Sequence, residues 1–424
     1  MRLGLFFYRN FSYFMSAFAG LLMHRRVRQG KENPRRLNER FAKNLSPRPN
    51  GLLIWLHAAS VGESLVQVEL ASQLKKQELA DSFLFTCQTL TGADTINAAI
   101  TNSSLLSASW TLQQMAPLDL PNSARRFVDH WHPDLAVFAE GDIWPNLLKN
   151  LKRHNTRTAL INARMTEKSI SGWRRWPATA EHVFGHLDLL LASDLKTATG
   201  LSDISKRKVT CTGNMKSALP MPDASADDIA ALKGQIGDRP ILVAASTHAG
   251  EEALFLDAYM QMTPRPFAII APRHPERAAE IERLLSCSNL SWANRSRGEV
   301  PSIKHDILLA DTIGEMGLWY RLADFVYLGG GHAPGVGGHN PLEPIRLSRP
   351  VVTGPSVFNF EESIADLIDI GAITIVADAI ELKAAYPAPA PSSAILEKLE
   401  SVASGPMEQT VIALAKLFET REAV

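Results

Sequence analysis

"GLLIWLHAASVGESLVQVELASQLKKQ" spans residues 51–77. Gly51 to His57 form a short apolar run of strand length. From Val61 onward, apolar residues recur three and four apart, the spacing of one helix face. A strand that passes through a few small residues into a helix is the opening of a βαβ unit. The rhythm repeats with "SFLFTC" (82–87), "DLAVFAE" (134–140), "RTALIN" (157–162) and "LDLLLAS" (187–193), each followed by a helical pattern. The stretch "ALPMPDASADDIAALKGQIGDRP" interrupts it with Pro, Asp and Ala, and reads as a linker carrying one short helix. The rhythm then restarts with "PILVAAS" (240–246), "PFAIIAPR" (266–273), "DILLAD" (306–311), "DFVYLGG" (324–330) and "RPVVTG" (349–354).

The expected fold is therefore α/β, with two Rossmann-like parallel-sheet domains facing a cleft. Residues 29–218 form the first domain, 219–239 the linker, and 240–424 the second domain. The second domain is expected to end in a helix, Ala394 to Glu419. A length of 424 residues exceeds one ordinary core and agrees with two domains. Equal numbers of acidic and basic residues give no reason to expect a nucleic-acid partner. Cys87, Cys211 and Cys287 are scattered and form no CxxC, which argues against structural zinc or a disulfide framework.

Residues 1–28 differ from the rest. "LGLFFYRNFSYFMSAFAGLLM" (3–23) is apolar but broken by Arg9 and Asn10, and a basic flank, "HRRVRQGKENPRR", follows it. A secretory signal places its positive charge first. The unbroken apolar part is too short to span about 30 Å of hydrocarbon comfortably. The expectation is a membrane-associated helix lying in or shallowly entering a bilayer, with its basic flank on anionic headgroups. The alternative is a buried core helix.

In open α/β sheets, ligands bind beyond the carboxyl ends of strands, and every unusual stretch sits at such an end. In "HAASVGE", Ser60 and Glu63 have capping-box spacing, and small residues such as Gly62 allow close approach. Glu63 can equally serve as a base, since partial burial raises a carboxyl's pKa toward a useful range. In "AEGDIWPN" (139–146), Asp142 suits a helix cap and Glu140 chemistry. In "STHAGEE" (246–252), Glu251 and Glu252 suit ordinary helix-start roles beside Ser246. In "APRHPER" (271–277), Arg273 suits bidentate grip of a phosphate or carboxylate. "DTIGEMGLWY" (311–320) carries Gly314 ahead of a helix.

"LGGGHAPGVGGHNPLEPI" (328–345) holds six glycines and two histidines before a helix expected near Asn340-Pro341. Gly-rich backbone entering a helix start suits a phosphate. It matches neither GxGxxG nor GxxxxGK[ST]. His332 and His339 lack ligand-spaced partners for a metal, and Ser60 lacks the GxSxG of a hydrolase nucleophile.

These stretches, with "RQGKENPRRLNERF", "NARMTEKS" and "TGNMKS", resemble the Kdo transferases in the same order along nearly the whole chain. That family moves 3-deoxy-D-manno-octulosonic acid (Kdo) from CMP-Kdo to a lipid A precursor in lipopolysaccharide biosynthesis. The resemblance implies a GT-B fold, inverting glycosyltransfer, no cofactor and no metal. It also implies association with the cytoplasmic face of a Gram-negative inner membrane through residues 3–28. It implies Glu63 as general base and Glu140 as a second essential carboxylate. His57, Ser60, Gly62 and Asp142 fall on the acceptor side. Lys216, Ser246, Arg273, Gly314, Met316, Gly337, Gly338, Asn340 and Glu343 fall on the CMP-Kdo side. Two departures stand out: Asp142 replaces a family Glu, and "GGGHAPGVGGHN" is one residue longer and lacks the family's serine. The rival readings are a GT-B transferase or epimerase acting on another nucleotide sugar, and an inactive membrane-associated CMP- or sugar-binding paralogue.

Overall fold

Two seven-stranded sheets, parallel throughout, organise the computed structural model, which describes residues 3–221, 223–358 and 361–419. The chain divides into one unit of Met1–Leu219 with Ser404–Val424 and a second of Pro220–Ala403. In the first unit the strands are β1 (Leu53–Ala58), β2 (Ser82–Cys87), β3 (Trp110–Met115), β4 (Leu135–Ala139), β5 (Arg157–Ala163), β6 (Leu189–Ala192) and β7 (Thr210–Cys211). Their order is β3-β2-β1-β4-β5-β6-β7, so the topology reverses between β1 and β4. In the second unit they are β8 (Ile241–Thr247), β9 (Phe267–Pro272), β10 (Trp292–Asn294), β11 (Ile307–Leu309), β12 (Phe325–Leu328), β13 (Val351–Thr353) and β14 (Ile373–Ile375). Their order is β10-β11-β9-β8-β12-β13-β14, with the reversal between β8 and β12.

Apolar runs without alternation become central strands because both faces of each sheet are covered by helices. Along β1, Leu53 and Trp55 enter the core on one face, and Ile54 and Leu56 enter the core on the other. β8 repeats this, with Ile241, Val243 and Ala245 on one side and Leu242 and Ala244 on the other. Two strands lose register near their carboxyl ends, β5 between Leu160 and Ala163 and β8 between Ala245 and Thr247. Each irregularity holds a non-glycine residue at positive φ, Asn162 at 47° and Ser246 at 54°. Such conformations turn the chain away from the ladder at the end where a site belongs.

Two expected boundaries change. Residues 219–239 are no free linker: the helix Ala226–Ile236 buries Leu232 and Ile236 in the second unit's core. The second domain does not run to 424. Its last helix, Ser393–Glu419, buries Leu399 in the second unit but Met407, Val411 and Leu414 against the first unit's sheet. Residues 1–2 and 420–424, part of the expected first and last segments, lie outside the described residues.

The N-terminal helix, Leu3–Arg28, docks on the first unit through Leu5, Ser12, Ala19 and Met23. Its other side exposes Phe6, Phe7, Phe11, Tyr13, Phe14, Phe18 and Leu21. Neither reading of this segment describes it alone, because one face is core and the other is bare. Among the described residues, no helix is long and apolar enough to cross a membrane. The basic flank is partly structural. Buried Glu32 accepts from Arg26 and from buried Arg40, whose guanidinium also donates to the carbonyls of Gln88 and Ala116.

Candidate functional site

In the first unit, the reversal between β1 and β4 gathers His57, Glu63, Glu140 and Asp142. Ser60 caps the helix Val61–Lys76, its hydroxyl accepting from the Glu63 amide. The Glu63 carboxylate in turn accepts from Ser60 Oγ at 2.7 Å and from the Ala59 amide at 2.9 Å. The capping box is therefore real. Each carboxylate oxygen has two acceptor directions, so a hydroxyl can still bond there. Glu63 is 6% exposed. Burial pushes its carboxyl above the ordinary range, against the two hydrogen bonds that lower it, and the charges of Glu140 and Asp142 add to the rise.

Glu140 leaves β4 at φ 55° and its Oε1 lies 2.5 Å from Lys216 Nζ. Lys216 rides on the short turn Met215–Ala218, which hangs from the irregularity in β5: Asn162 Oδ1 accepts from the Met215 amide at 2.9 Å. A β-carbon on Gly62 would stand 3.3 Å from Lys216 Cε, so the small residue lets the ammonium in. Lys216 thus belongs with the carboxylates of the first unit, where its sequence grouping with the nucleotide-sugar residues gave no hint of it. Asn162 was not singled out, and only its place at a strand end marked it.

His57 is buried. Nδ1 lies 2.7 Å from Thr86 Oγ1, which also accepts from Trp55 Nε1, and Nε2 lies 3.1 Å from Asp142 Oδ2. A carboxylate only accepts, so the tautomer satisfying both partners carries its proton on Nε2. His57 therefore holds Asp142, and Asp142 is not the expected helix cap. The start of the helix Pro145–Arg153 is held instead by Asp119, which accepts from the amides of Asn146 and Leu147. Tyr8 of the N-terminal helix donates to the same carboxylate at 2.6 Å, and Ser12 accepts from Asn146 Nδ2. Asp119 lies far from "WPN" in sequence, so no local signal connects them.

In the second unit the β8–β12 reversal is packed backbone to backbone. A β-carbon on Gly329 would stand 2.6 Å from the Ser246 carbonyl, and one on Gly331 would stand 2.4 Å from the Gly354 amide. Glu251 and Glu252 are buried and do more than start a helix, whose N-cap is Gly250. Glu251 accepts from the amides of His248, Gly330 and His332, stitching the Gly-rich loop to the end of β8. Glu252 accepts from Thr247 and bidentately from Arg277. Arg277, passed over for Arg273, is the structural arginine of "APRHPER".

Arg273 itself is exposed, and its charge acts on His339 and Glu343. The loop's end is ordered by Asn340, whose Oδ1 accepts from the Leu342 amide and whose Nδ2 donates to Glu343. Burial raises the Glu343 carboxyl's pKa, partly opposed by Asn340 and Arg273. The helix here, Leu342–Arg346, is one short turn. Gly337 and Gly338 hold φ 79° and 84°, so backbone rather than a long helix shapes this stretch. Gly314, at φ 89°, and Met316 sit at the start of the helix Met316–Leu322, where Glu315 pairs with Arg295.

The family profile described as 3-deoxy-D-manno-octulosonic-acid transferase matches residues 35–219. A 3-deoxy-D-manno-octulosonic acid transferase of Haemophilus influenzae is 34% identical over 82% of this chain and 82% of its own length. A solved C-terminal CMP-Kdo binding domain of WaaA from Acinetobacter baumannii is 35% identical over 43% of this chain and 96% of its own, with a TM-score of 0.36. A UDP-GlcNAc 2-epimerase from Neisseria meningitidis shares the fold, with TM-score 0.55 at 13% identity over 86% of this chain and all of its own.

Proposed function

The chain belongs to the 3-deoxy-D-manno-octulosonic acid (Kdo) transferase family, and from that premise we propose that it transfers Kdo from CMP-Kdo to a lipid A precursor of the lipid IVA type with inversion. One observation carries the catalytic assignment: a buried carboxylate with raised proton affinity, Glu63, lies at the same strand ends as the Lys216–Glu140 ion pair. Glu63 removes the proton from an acceptor hydroxyl. The freed oxygen bonds to the anomeric carbon of Kdo as the bond from that carbon to the CMP phosphate breaks, and the phosphate keeps the electron pair. Attack from the face opposite the leaving group inverts the centre. Positive charge at Lys216 and the carboxylate of Glu140 stand where charge changes as the bonds exchange. No metal or cofactor enters this scheme.

On the donor side, the backbone of Gly337, Gly314 and Met316 offers N–H groups to the nucleotide's phosphate and ring, while the Gly338 amide is held by the Gly330 carbonyl and shapes the loop. Arg273 supplies the cation, and Asn340 and Glu343 order the loop. The acceptor is a lipid, and the bare aromatic face of Leu3–Arg28 supports docking on the cytoplasmic face of the inner membrane. A helix face with eight large exposed apolar side chains, Leu22 included, is costly in water. The Tyr8–Asp119–Asn146 contacts join that helix to the segment that follows Glu140 and Asp142.

The test is Glu63→Gln in a transfer assay with CMP-Kdo and a tetraacylated lipid A precursor, products being sized by mass. The variant should lose at least 100-fold in kcat, the usual scale of a general base, while still binding CMP. Turnover near that of the unaltered protein would remove Glu63 from the role.

A further inference from the structure

His248 and His339 are absent from the scheme above, yet they form a directly bonded pair of titratable rings in the second unit. Their Nε2 atoms lie 2.9 Å apart. The ring centres are 5.1 Å apart and the planes differ by 12°, so the rings meet nitrogen to nitrogen. One proton, and only one, fits between them. His339 also bonds the Ser246 backbone carbonyl, which can only accept. A His339 proton on Nδ1 would serve that carbonyl and leave Nε2 as a bare lone pair. In that tautomer the shared proton belongs to His248 Nε2.

This arrangement has a fixed capacity. His248 Nδ1 can take a further proton without disturbing the bond, turning His248 into an imidazolium that still donates to His339. A second added proton would set two N–H groups head to head. From this geometry, and resting on the reading of residues 337–343 as the donor's phosphate site, we propose that the His248–His339 pair takes up one proton from solvent when the nucleotide's phosphate binds, and returns it on release.

The surrounding charges explain why the free pair lacks that proton. Glu251 and Glu252 favour it, but Glu251 is committed to three backbone amides and Glu252 to Arg277. His274, whose ring meets that of His248 at 5.7 Å, opposes it, together with Arg273 and Arg277. Burial is the largest effect on both rings, and His339 is held down to about 4. The missing ingredient is an uncommitted anion, which a phosphate supplies next to Asn340. The pair would then match its charge to the occupied state alone. The empty loop would be spared one more cation beside Arg273.

The experiment is calorimetric titration of the full-length protein with CMP at pH 7, in two buffers of different ionisation enthalpy. A phosphate monoester has its second pKa near about 6, so its own contribution on entering a basic site is a small proton release. Net uptake of more than about half a proton per CMP is expected from the wild-type protein. His248→Gln should abolish the uptake and weaken CMP binding several-fold. Binding with no net uptake in the wild-type protein, or uptake unchanged in His248→Gln, would overturn the proposal and leave the donor reading standing. Failure of the wild-type protein to bind CMP would overturn both. Should His248→Gln fail to fold, the sign of the wild-type uptake still decides.

Discussion

Single side chains in this protein serve two masters. Glu63 completes a capping box and is also the proposed base, and these roles are compatible because its carboxylate retains unused acceptor directions. The consequence is a pH dependence of known sign. A base works only when ionised, so transfer rises with pH through its pKa, and burial has moved that pKa above the free glutamate value near 4.5. The acid limb of kcat/KM should therefore have its midpoint clearly above 4.5. A limb at or below the free value would show that another group acts. Spacing alone left Glu63 evenly balanced between cap and base, because side-chain direction is invisible in a string of letters. The same blindness led Asp142 to be read as a cap, when His57 had already claimed it.

Elements, too, have two faces. Residues 3–23 are apolar on most sides of the helix apart from Arg9 and Asn10, a pattern that signals a helix covered on more than one face. The first unit covers only the side of Leu5, Ser12, Ala19 and Met23. A bilayer surface is the cover proposed for the other. Replacing Phe11 and Phe14, both more than half exposed, with Asp should leave thermal stability within about 0.5 kcal/mol, as for substitutions away from packed contacts. Co-sedimentation with vesicles containing anionic lipid should drop at least tenfold. Equal co-sedimentation of variant and parent would assign the face to something else. The strands carry a parallel lesson. All ten apolar runs read from sequence are strands, whereas the four missed, β3, β7, β10 and β14, are the outermost strands of the two sheets. An edge strand is covered less completely and can be short or polar, as "WTLQQM" and the three-residue "WAN" are.

At the scale of the whole molecule, the chain crosses between units twice, near Leu219 and again near Ser404. The second crossing puts Met407, Val411 and Leu414 into the first unit's core. Ending the chain after Ala403 would uncover the apolar surface beneath them. At about 1.5–3 kcal/mol for each fully buried side chain, the first unit should lose several kcal/mol and melt many degrees lower. The second unit's transition should stay nearly in place. Equal losses in both units, or none, would contradict this division.

The sequence by itself determined what depends on neighbours in the chain. It set the two series of central strands, the helices between them, the glycine loop, and the placing of every candidate residue at a strand's carboxyl end. Local apolar runs and periodicity encode these directly. Tertiary structure alone decided which distant groups meet: Asp119 with Asn146 and Tyr8, Lys216 with Glu140, Glu251 with Gly330, and His248 with His339. Each of these pairs forms across a sheet reversal or between separate elements. Their proximity follows from strand order and register, and neither is written in the spacing of residues along the chain.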